Sequence, residues 1–580
     1  MVFVKSPYPE PPAFPQVNAH HILFKRPDQA AWPDFTLHID AVSGQRRKYS
    51  EFVAHMNDLA TALGAPSPHG LGFRKEGGEI VGIMMENSSD YIALLQACII
   101  ITTPFALISS YSTAFELKHA LTLSKATSLF VDAKFLPIVL PVAKEVGMDL
   151  SRIFVGRGNA PGRKSIVDLV NDVRAKSVPF IGIRPATKDT LAYLVFSSGT
   201  SGLPKAVMIS HGNLIYSIGQ AAVMGQINAQ VYTPPPPVAE EGLPVVLAFL
   251  PLHHTYGLHS YSYRAFLAPG TLVIMDKWDI DVALRCIPQY KVSGIALIPS
   301  IVHQLVHHPK IEQVDLSSVT QLGSGAAYLP PSLADKLSKL IAGNASFSEG
   351  YGMSECTIAA ITQPVEGALG GKLKRIPGCT GVLLPGMDGR TVRDDGTEAD
   401  INETGELWLR SPNVALGYWN NEKADKETFV DGWLKTGDKF SVDKDGNFWF
   451  ADRSKDTLKV SGAQVSPMEI ENVLIAHPDK LIIDVTVAGV SGGRTSDEKV
   501  PRAWVVLSAK GKGKGAAVTI KALEKWSKAN LSKYKHLRGG IGIVDEIPKS
   551  PTGKVLRRIL QEQYEKAVVA AQQENVRAKL

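Results

Sequence analysis

Two apolar runs separated by a loop of small and hydroxyl-bearing residues limit the possible folds of this chain most strongly. Leu191–Phe196 and Ala206–Ile209 are apolar and β-prone, which predicts one strand before the loop and one after it. Between them lie Ser197, Ser198, Gly199, Thr200, Ser201, Gly202 and Lys205. Hydroxyl groups and glycine N–H groups can bind an anion, and a lysine adds a positive charge. The loop therefore predicts a site for a polyphosphate.

This loop differs from the Walker A sequence. There, a second glycine stands five positions after the first, and a lysine and then a serine or threonine follow it. Here Pro204 stands five positions after Gly199, and Lys205 is followed by Ala206. A serine- and glycine-rich surface turn is the alternative interpretation of such a stretch.

Residues 1–190 alternate between helix-prone and strand-prone segments. Helices are predicted at Ser50–Leu63 and Ser88–Ile101, and strands at Glu79–Met85, Ser128–Asp132 and Ile153–Gly156. Such alternation predicts α/β layers around a largely parallel sheet. Later segments predict a β segment of a smaller subdomain over Gly405–Trp419, a helix over Met468–Ala476 and a strand over Val485–Val490.

The composition is that of an ordinary globular protein. Hydrophobic residues make up 44% and charged residues 20%, and 62 basic against 56 acidic residues give a net charge of +6. This charge gives no indication of nucleic acid binding and is compatible with anionic substrates. The four scattered cysteines predict free thiols. No membrane span is predicted, because the most apolar run, Tyr91–Ser109, includes Gln96 and Pro104 and is better explained as a buried helix and strand.

Seven further short motifs follow the loop in the chain. Each combines small or apolar residues with a side chain suited to binding or catalysis. They are Leu250–Leu258 with His254, Leu322–Leu329, Ser348–Glu355, Gly432–Asp438, Asp452–Asp456, Thr457–Pro467 and Ile547–Arg558 with Lys554.

The loop and these motifs resemble those of the acyl-adenylate-forming family, which includes acyl-CoA synthetases, 4-coumarate–CoA ligases, luciferases and peptide-synthetase adenylation domains. The resemblance covers nearly the whole chain, in the family's motif order. It implies an α/β fold: a large N-terminal domain of α/β subdomains with parallel sheets plus a β subdomain, and a small, mobile α+β C-terminal domain. The implied domains are residues 1–453 and 454–580, with a hinge near Lys455.

The resemblance also implies the activity, an ATP-dependent acid–thiol ligase. Such an enzyme activates a carboxylic acid as acyl-AMP, releases pyrophosphate and transfers the acyl group to coenzyme A. It uses ATP, Mg²⁺ and coenzyme A. The implied catalytic residues are Lys554, His254 and Lys205, and the implied Mg²⁺ ligands are Thr200 and Glu355. Glu355 is a hard oxygen donor of the kind that Mg²⁺ prefers.

Three sets of binding residues carry over from the matched motifs. For ATP or AMP they are Ser197, Ser198, Gly199, Thr200, Ser201, Lys205, Ala327, Glu349, Gly350, Tyr351, Ser354, Asp438, Arg453, Lys455, Lys459, Gln464 and Lys554. For coenzyme A they are Lys277, Ser461 and Gly462. For the acid they are Tyr256, Ser260, Tyr351, Gly352, Ile358 and Ala359. Within these sets, Tyr351 can stack on adenine, and Asp438 can accept hydrogen bonds from both ribose hydroxyls. The small residues of Leu322–Leu329 would let a flat adenine lie against the backbone.

The substrate stays open between several alternatives. Tyr256, Lys459 and Gln464 resemble the coumarate-ligase pattern and favour an aromatic, cinnamic-type acid, with a medium-chain fatty acid as the alternative. His253 stands where coumarate ligases have Phe and luciferases have His, so a luciferase-like oxygenase is another alternative. A stand-alone adenylation domain would need a carrier protein, and no carrier motif follows Lys554. A non-catalytic nucleotide-binding relative would not need so complete a set of motifs.

Three other patterns concern the C-terminal part. Gly489–Gly493 matches Gly-x-Ser-x-Gly, but that hydrolase motif needs a helix directly after the serine, and loop-forming residues follow here. Gly511–Gly515 is predicted to be a mobile loop. The terminal Ala578, Lys579 and Leu580 resemble the Ser-Lys-Leu peroxisomal address and predict an import receptor as partner and a peroxisomal location, with the cytoplasm as the alternative.

Overall fold

The computed structural model describes most of the chain. The described residues are 3–13, 15–74, 77–197, 203–306, 308–325, 331–341, 346–393, 395–453, 458–460, 463–465, 467–492, 499–548 and 557–577. Their strands are β1 Phe3–Lys5, β2 Thr36–Asp40, β3 Arg46–Lys48, β4 Val81–Met84, β5 Phe105–Leu107, β6 Ser128–Val131, β7 Ile153–Val155, β8 Leu191–Ser197, β9 Lys205–Ser210, β10 Val245–Ala248, β11 Thr271–Ile274, β12 Gly294–Leu297, β13 Gln321–Ser324, β14 Ser346–Tyr351, β15 Ile361–Thr362, β16 Val382–Leu383, β17 Asp388–Val392, β18 Gly405–Arg410, β19 Gly417–Tyr418, β20 Phe429–Val430, β21 Trp433–Val442, β22 Phe448–Arg453, β23 Leu458–Val460, β24 Ala463–Val465, β25 Ile482–Ser491, β26 Lys499–Leu507 and β27 Ile541–Ile543.

The helices alternate with these strands through most of the N-terminal part. They are α1 Ala19–Phe24, α2 Tyr49–Gly64, α3 Ser89–Ile100, α4 Ala114–Ser124, α5 Leu136–Glu145, α6 Ile166–Ala175, α7 His211–Asn228, α8 Thr255–Ser262, α9 Ile280–Gln289, α10 Pro299–Val306, α11 Pro331–Leu340, α12 Ala368–Gly371, α13 Glu422–Thr428, α14 Pro467–Ile475, α15 Ala509–Lys514, α16 Ala516–Asn530 and α17 Arg557–Arg577.

Two sheets of the structure are mainly parallel. In one, the strand order is β19-β9-β8-β5-β4-β6-β7, and β8, β5, β4, β6 and β7 run parallel. In the other, the order is β16-β15-β14-β13-β12-β10-β11-β2-β3, with a parallel centre from β14 to β2. The predicted α/β layers with parallel sheets are therefore confirmed.

A third sheet is antiparallel and forms the predicted β subdomain. Its order is β1-β17-β18-β21-β20, and β22 pairs with β21. Its apolar residues, among them Leu407, Leu409, Phe440 and Phe448, are buried in one cluster. The C-terminal residues form a smaller α+β arrangement, in which β25, β26 and β27 make a sheet and β23 pairs with β24.

By its internal contacts the chain divides into two compact units. One comprises Met1–Ser110, Ala120–Phe196 and Ala206–Ser454, and the other comprises Tyr111–His119, Ser197–Lys205 and Lys455–Leu580. Residues 454–457 lie outside the described residues. The predicted domain boundary at 453/454 and the hinge near Lys455 therefore stay predictions.

The apolar run Tyr91–Ser109 is a buried helix and strand, as predicted. Every residue from Tyr91 to Ile100 in α3 is buried, and β5 is buried in full. Among the described residues, no helix is both long and apolar enough to cross a membrane. All four cysteines are free and buried, which confirms the prediction from their spacing.

One prediction about the C-terminal part is wrong. Gly511–Gly515 is predicted to be a mobile loop, but residues up to Lys514 form α15. Ser508 Oγ accepts a hydrogen bond from Gly511 N at 3.0 Å and caps this helix. Lys510 and Lys514 both form ion pairs with Asp479, at 3.4 and 2.6 Å. Asp479 lies elsewhere in the sequence, so local propensity, which is low for glycine, does not indicate this helix.

The Gly-x-Ser-x-Gly match is not a nucleophile elbow. Ser491 is the last residue of β25 and pairs with Lys499 in the antiparallel partner strand. Its backbone N–H donates to Glu565 Oε1 at 2.8 Å. The motif would need a sharp turn into a helix at the serine, so the structure agrees with its rejection.

The start of α7 holds β9 in place and gives the first testable prediction. Ser210 and Asn213 form a reciprocal cap, and Asn213 Nδ2 also donates to Pro412 O and Val414 O, each at 2.8 Å. We expect Asn213→Ala to lower the free energy of unfolding by about 3 kcal/mol, because it removes one half of the reciprocal cap and the two hydrogen bonds to the Pro412 and Val414 carbonyls. Thermal or urea unfolding measures this. Gln226→Ala, at an exposed position of the same helix, is the control and should change stability by less than about 0.5 kcal/mol.

Candidate active site

Several predicted site residues lie where parallel strands of the larger sheet end. β12, β13 and β14 are neighbours, with Leu297 opposite Ser324 and Ser324 opposite Glu349. Carboxyl ends of parallel strands meet at one edge of a sheet, which is the usual place for ligands in α/β proteins. Glu349, Gly350 and Tyr351 lie at this edge of β14. Burial raises the pKa of the Glu349 carboxyl, with Arg375 opposing this shift.

Tyr351 and Asp438 form the most direct link between two predicted nucleotide-binding residues. The Tyr351 hydroxyl donates to Asp438 Oδ2 at 2.8 Å, and both residues are buried. Burial, and then the Asp438 charge, raise the pKa of Tyr351 well above its ordinary value, so the phenol keeps its proton and remains a donor. In the sheet, Asp438 lies opposite Arg453 of β22. The predicted ribose-binding carboxylate is thus held by the predicted adenine-stacking ring.

Ser354 and Glu355 follow β14 in a 3-10 turn, Ser354–Cys356. Ser354 Oγ lies 2.9 Å from Thr255 Oγ1, so the hydroxyl predicted for the α-phosphate is positioned by the start of α8. Glu355 is buried, and its Oε1 accepts a hydrogen bond from the Tyr418 hydroxyl at 2.9 Å. Sequence reasoning missed Thr255 and Tyr418. Thr255 follows His254 in a motif that was recognised, whereas Tyr418 carries no local signal.

Glu355 fits the chemistry of a Mg²⁺ ligand. It supplies carboxylate oxygens, and Mg²⁺ is usually held by one or two carboxylates together with phosphate oxygens and water. Within the described part of the chain, no group of three or more His, Cys, Asp or Glu residues could hold a metal ion by itself. Glu355 would therefore hold Mg²⁺ together with the phosphates of the nucleotide. The predicted second ligand, Thr200, lies outside the described residues.

His254 caps the helix that carries two predicted acid-binding residues. Its Nδ1 accepts a hydrogen bond from Tyr256 N at 3.4 Å at the start of α8. Burial lowers the pKa of His254, and it lowers the pKa of the neighbouring His253 to about 3. Both imidazoles are therefore neutral at neutral pH in the structure as described, which suits His254 to lining or gating an acid tunnel.

The glycines of β13 and of the residues after it lie against Tyr256. A Cβ atom added at Gly323 would lie 3.4 Å from the Tyr256 hydroxyl oxygen, and one at Gly325 would lie 3.4 Å from Cε1 of the ring. The small residues of Leu322–Leu329 predict adenine against the backbone there. At Gly323 and Gly325 the aromatic ring that the structure places there is Tyr256, one of the residues predicted for the acid.

Three more residues predicted for the acid lie together. A Cβ atom on Gly352 would lie only 1.8 Å from Ile358 O and 2.6 Å from Ala359 Cα, so the backbone of the two segments is in direct contact. Gly352, Ile358 and Ala359 are each partly accessible. The predicted coenzyme A residue Lys277 is exposed after β11. Its backbone N–H donates to Asp276 Oδ1 at 2.9 Å.

The remaining predicted site residues are described only in part or not at all. Ser197 ends β8 and Lys205 begins β9, which confirms strands on both sides of the loop. For Arg453, Lys459 and Gln464 the structure describes the backbone within β22, β23 and β24, respectively. Outside the described residues lie Ser198, Gly199, Thr200, Ser201, Ala327, Lys455, Ser461, Gly462 and Lys554.

Two family models match the chain. One, described as AMP-binding enzyme, matches residues 25–419, and the other, AMP-binding enzyme C-terminal domain, matches residues 469–554. Because the first match alone covers more than half of the 580 residues, the chain belongs to the family of AMP-binding enzymes, the acyl-adenylate-forming family that its motifs resemble.

Individual relatives indicate which type of AMP-binding enzyme the chain is. The chain is 31% identical over 577 residues to "Probable 4-coumarate–CoA ligase 1" of Dictyostelium discoideum, covering 96% of this chain and 95% of the relative. It is 30% identical over 537 residues to a luciferin 4-monooxygenase of Luciola mingrelica, covering 90% of each. Its fold is similar to that of an anthranilate CoA ligase solved with anthranoyl-AMP, with a TM-score of 0.65, 25% identity and coverage of 96% and 99%. Within its family, the chain is therefore an adenylating enzyme of the acyl-CoA ligase type.

The Tyr351–Asp438 bond gives a second testable prediction. We expect Tyr351→Phe to raise the KM for ATP about tenfold or more, because the ring stays but Asp438 loses the donor that fixes its position. Steady-state kinetics with ATP as the varied substrate measure this. Tyr290→Phe, which removes a phenol hydroxyl near Gly44, is the control. An ordinary KM in both Tyr351→Phe and Asp438→Asn would contradict the assignment of Asp438 to the ribose.

Proposed function

We propose that the protein is an ATP-dependent acid–CoA ligase whose acid is aromatic, of the 4-coumarate or cinnamate type. The observation that carries this proposal is the hydrogen bond between Tyr351 and Asp438 at the carboxyl end of β14. This bond holds an aromatic ring beside a carboxylate, a pair that suits an adenosine bound by stacking and through its ribose hydroxyls. Ser354 and Glu355 follow within four residues.

The reaction runs in two steps. First, a carboxylate oxygen of the acid attacks the α-phosphorus of ATP, the bond to the β-phosphate oxygen breaks, and pyrophosphate leaves. In this step Lys205 neutralises phosphate charge and Lys554 approaches the attacking oxygen, so that positioning and electrostatics lower the barrier. Mg²⁺ supplies further neutralisation of phosphate charge when it is bound at Glu355.

In the second step, the thiol of coenzyme A attacks the acyl carbon, the mixed anhydride breaks and AMP leaves. Lys554 would stand in the path of the thiol, so we propose that the C-terminal domain turns about Lys455 between the steps. Ser461 and Gly462 would then line the pantetheine path, with Lys277 contacting the nucleotide end of coenzyme A. A glycine suits such a path because it lets a thin chain pass close to the backbone.

The aromatic acid is supported by Tyr256 and by relatives. The ring of Tyr256 lies against Gly323 and Gly325 and is partly accessible, so it offers a planar acid a surface to stack on. A relative at 31% identity is named as a 4-coumarate–CoA ligase, and a structural neighbour is an anthranilate CoA ligase. A medium-chain fatty acid is the alternative, which a panel of acids tests directly.

A luciferase-like oxygenase is the second candidate function. His253 next to His254 and the relative named luciferin 4-monooxygenase favour it. The two functions share the first step and differ in the second. Oxygen uptake or light from an acyl-adenylate would indicate the oxygenase, whereas AMP release that depends on coenzyme A would indicate the ligase.

We also propose a peroxisomal location, through recognition of Ala578, Lys579 and Leu580 by the import receptor. The support is the tripeptide itself. Removal of these three residues from a fluorescent fusion should redistribute it to the cytoplasm. A fusion that is cytoplasmic with the tripeptide intact would contradict this proposal.

The ligase proposal is tested by pyrophosphate release over a panel of acids. We expect release to require ATP and an acid, and 4-coumarate or cinnamate to give a higher kcat/KM than octanoate. With coenzyme A present, AMP and a thioester of the acid should form, and mass spectrometry identifies the thioester. A clear preference for octanoate would contradict the aromatic acid but not the ligase.

Lys554→Ala tests the division between the two steps. We expect it to abolish adenylation from ATP and acid, because the charge at the attacking oxygen is lost, while a supplied acyl-adenylate still gives the thioester. Lys533→Ala, at an exposed position of the C-terminal part, is the matched control. Equal loss of both half-reactions in Lys554→Ala would show that the lysine does not act in the first step alone.

Chelation tests the proposed metal. With EDTA in excess over Mg²⁺, adenylation should stop and recover on addition of Mg²⁺, because the phosphate charge is no longer neutralised. Thioester formation from a supplied acyl-adenylate should continue, since that step has no polyphosphate. If EDTA left adenylation unchanged, Mg²⁺ would have no role in it.

A further inference from the structure

One stripe of α8 remains accessible although the helix is otherwise buried. From Thr255 to Arg264, the partly accessible residues are Tyr256, Ser260 and Arg264, and the residues between them are buried. These three stand four positions apart, a spacing that places side chains along one face of a helix. The helix ends at Ser262, and Arg264 begins the 3-10 turn that follows it. Tyr256 and Ser260 are residues predicted for the acid, so Arg264 is the next member of the same row.

Arg264 has a buried donor without a partner. Its Nε is buried and has no hydrogen bond to the residues that the structure describes. Burial lowers the pKa of Arg264, and the nearby Tyr256 opposes this shift. A guanidinium nevertheless remains charged at neutral pH, so this partly accessible side chain carries a positive charge and one buried, unsatisfied donor.

Arg26, which binds carbonyls at the end of the same 3-10 turn, differs from Arg264 in having hydrogen-bond partners. Arg26 donates to the carbonyls of Ile22, Phe266 and Leu267 and pairs with Asp28. Buried polar groups of folded proteins normally have such partners, and leaving a charged one without them is costly. Arg264 therefore differs from Arg26 in that its Nε has no partner, and a bound anion would supply one.

We propose that Arg264 binds a second, negatively charged group at the end of the acid remote from the carboxylate that is activated. The preferred substrates are then aromatic acids with a distal carboxylate. A guanidinium matches a carboxylate with two parallel hydrogen bonds, and the ring of such an acid would lie along Tyr256 between the two ends. This inference rests on the proposed function and names the substrate class of the same site.

The length of the row suits an acid of this kind. Within α8, Tyr256 and Ser260 are about 6 Å apart along the axis, at 1.5 Å per residue, and Arg264 follows two residues after the helix ends. An acid that passes Tyr256 and Ser260 towards Arg264 therefore spans more than one helical turn, a length that suits an aromatic ring with a carboxylate at each end. The neutral hydroxyl of 4-coumarate would offer Arg264 a weaker acceptor than a carboxylate.

The experiment compares acids that differ at the distal end. The series is cinnamate, 4-coumarate and 4-carboxycinnamate, and a second pair is octanoate and octanedioate. For each, kcat/KM is measured by pyrophosphate release in the presence of coenzyme A. We expect the wild-type protein to use 4-carboxycinnamate at least tenfold better than cinnamate, with 4-coumarate between them.

Variants assign this preference to Arg264. Arg264→Met should lower the ratio of kcat/KM for 4-carboxycinnamate to that for cinnamate by about ten- to a hundredfold, because the distal carboxylate is then left without its cation. Arg264→Lys should give an intermediate ratio. Arg285→Met is the matched control. Arg285 lies on α9 and donates to the Ala41 carbonyl, so its replacement should leave the ratio as in the wild type.

The outcomes separate this inference from the proposed function. A wild-type protein that prefers cinnamate, or an equal ratio in Arg264→Met and Arg285→Met, would overturn the inference. If neutral acids react and charged ones do not, the ligase stands and the inference falls. If no acid supports ATP-dependent pyrophosphate release, the proposed function itself fails. Should Arg264→Met not fold, the wild-type series and Arg264→Lys decide.

Discussion

The hydrogen bond from Tyr351 to Asp438 joins two sheets of different kinds at one point. Tyr351 ends β14 of the mainly parallel sheet, and Asp438 lies within β21 of the antiparallel sheet. The ring of Tyr351 also packs edge-on against Phe440, with centroids 4.9 Å apart. A hydrogen bond to a charged group contributes only about 1.5–3 kcal/mol. Its larger effect is on position, because Ser354 and Glu355 follow directly and depend on where this strand ends.

Much of the fold could be predicted because its signals are local. The alternation of apolar runs predicts α3, β4, β6 and β7 close to their observed bounds, since period and length distinguish helices from strands. α15 could not be predicted in this way. Its lysines are held by Asp479, and a sequence of glycines and lysines carries no sign of that partner. Where tertiary contacts decide the structure, local propensity is a poor guide.

The residues of the candidate site fall into the same two groups, those with a local sequence signal and those without one. Ser354, Glu355 and Asp438 stand in runs of several matched residues and could be recognised from the sequence alone. Thr255 and Tyr418, which position Ser354 and Glu355, carry no sequence signal of these contacts, although Thr255 stands within a recognised motif. Arg264 is likewise isolated in the sequence, and its significance comes from the row that it shares with Tyr256 and from its missing partner. Such features become visible only when distances between side chains are known.

Gly352 sets a fixed limit on how this enzyme can be redesigned. Any side chain there would collide with Ile358 O and Ala359 Cα, which are backbone atoms that cannot rotate away. Substitution of Gly352 is therefore not a usable way to widen or narrow the substrate range. In the proposed acid site, Tyr256 and Ser260 are the better positions for changing selectivity, because their side chains are partly accessible. An engineer who randomises the pocket should leave residue 352 untouched and direct the library to α8.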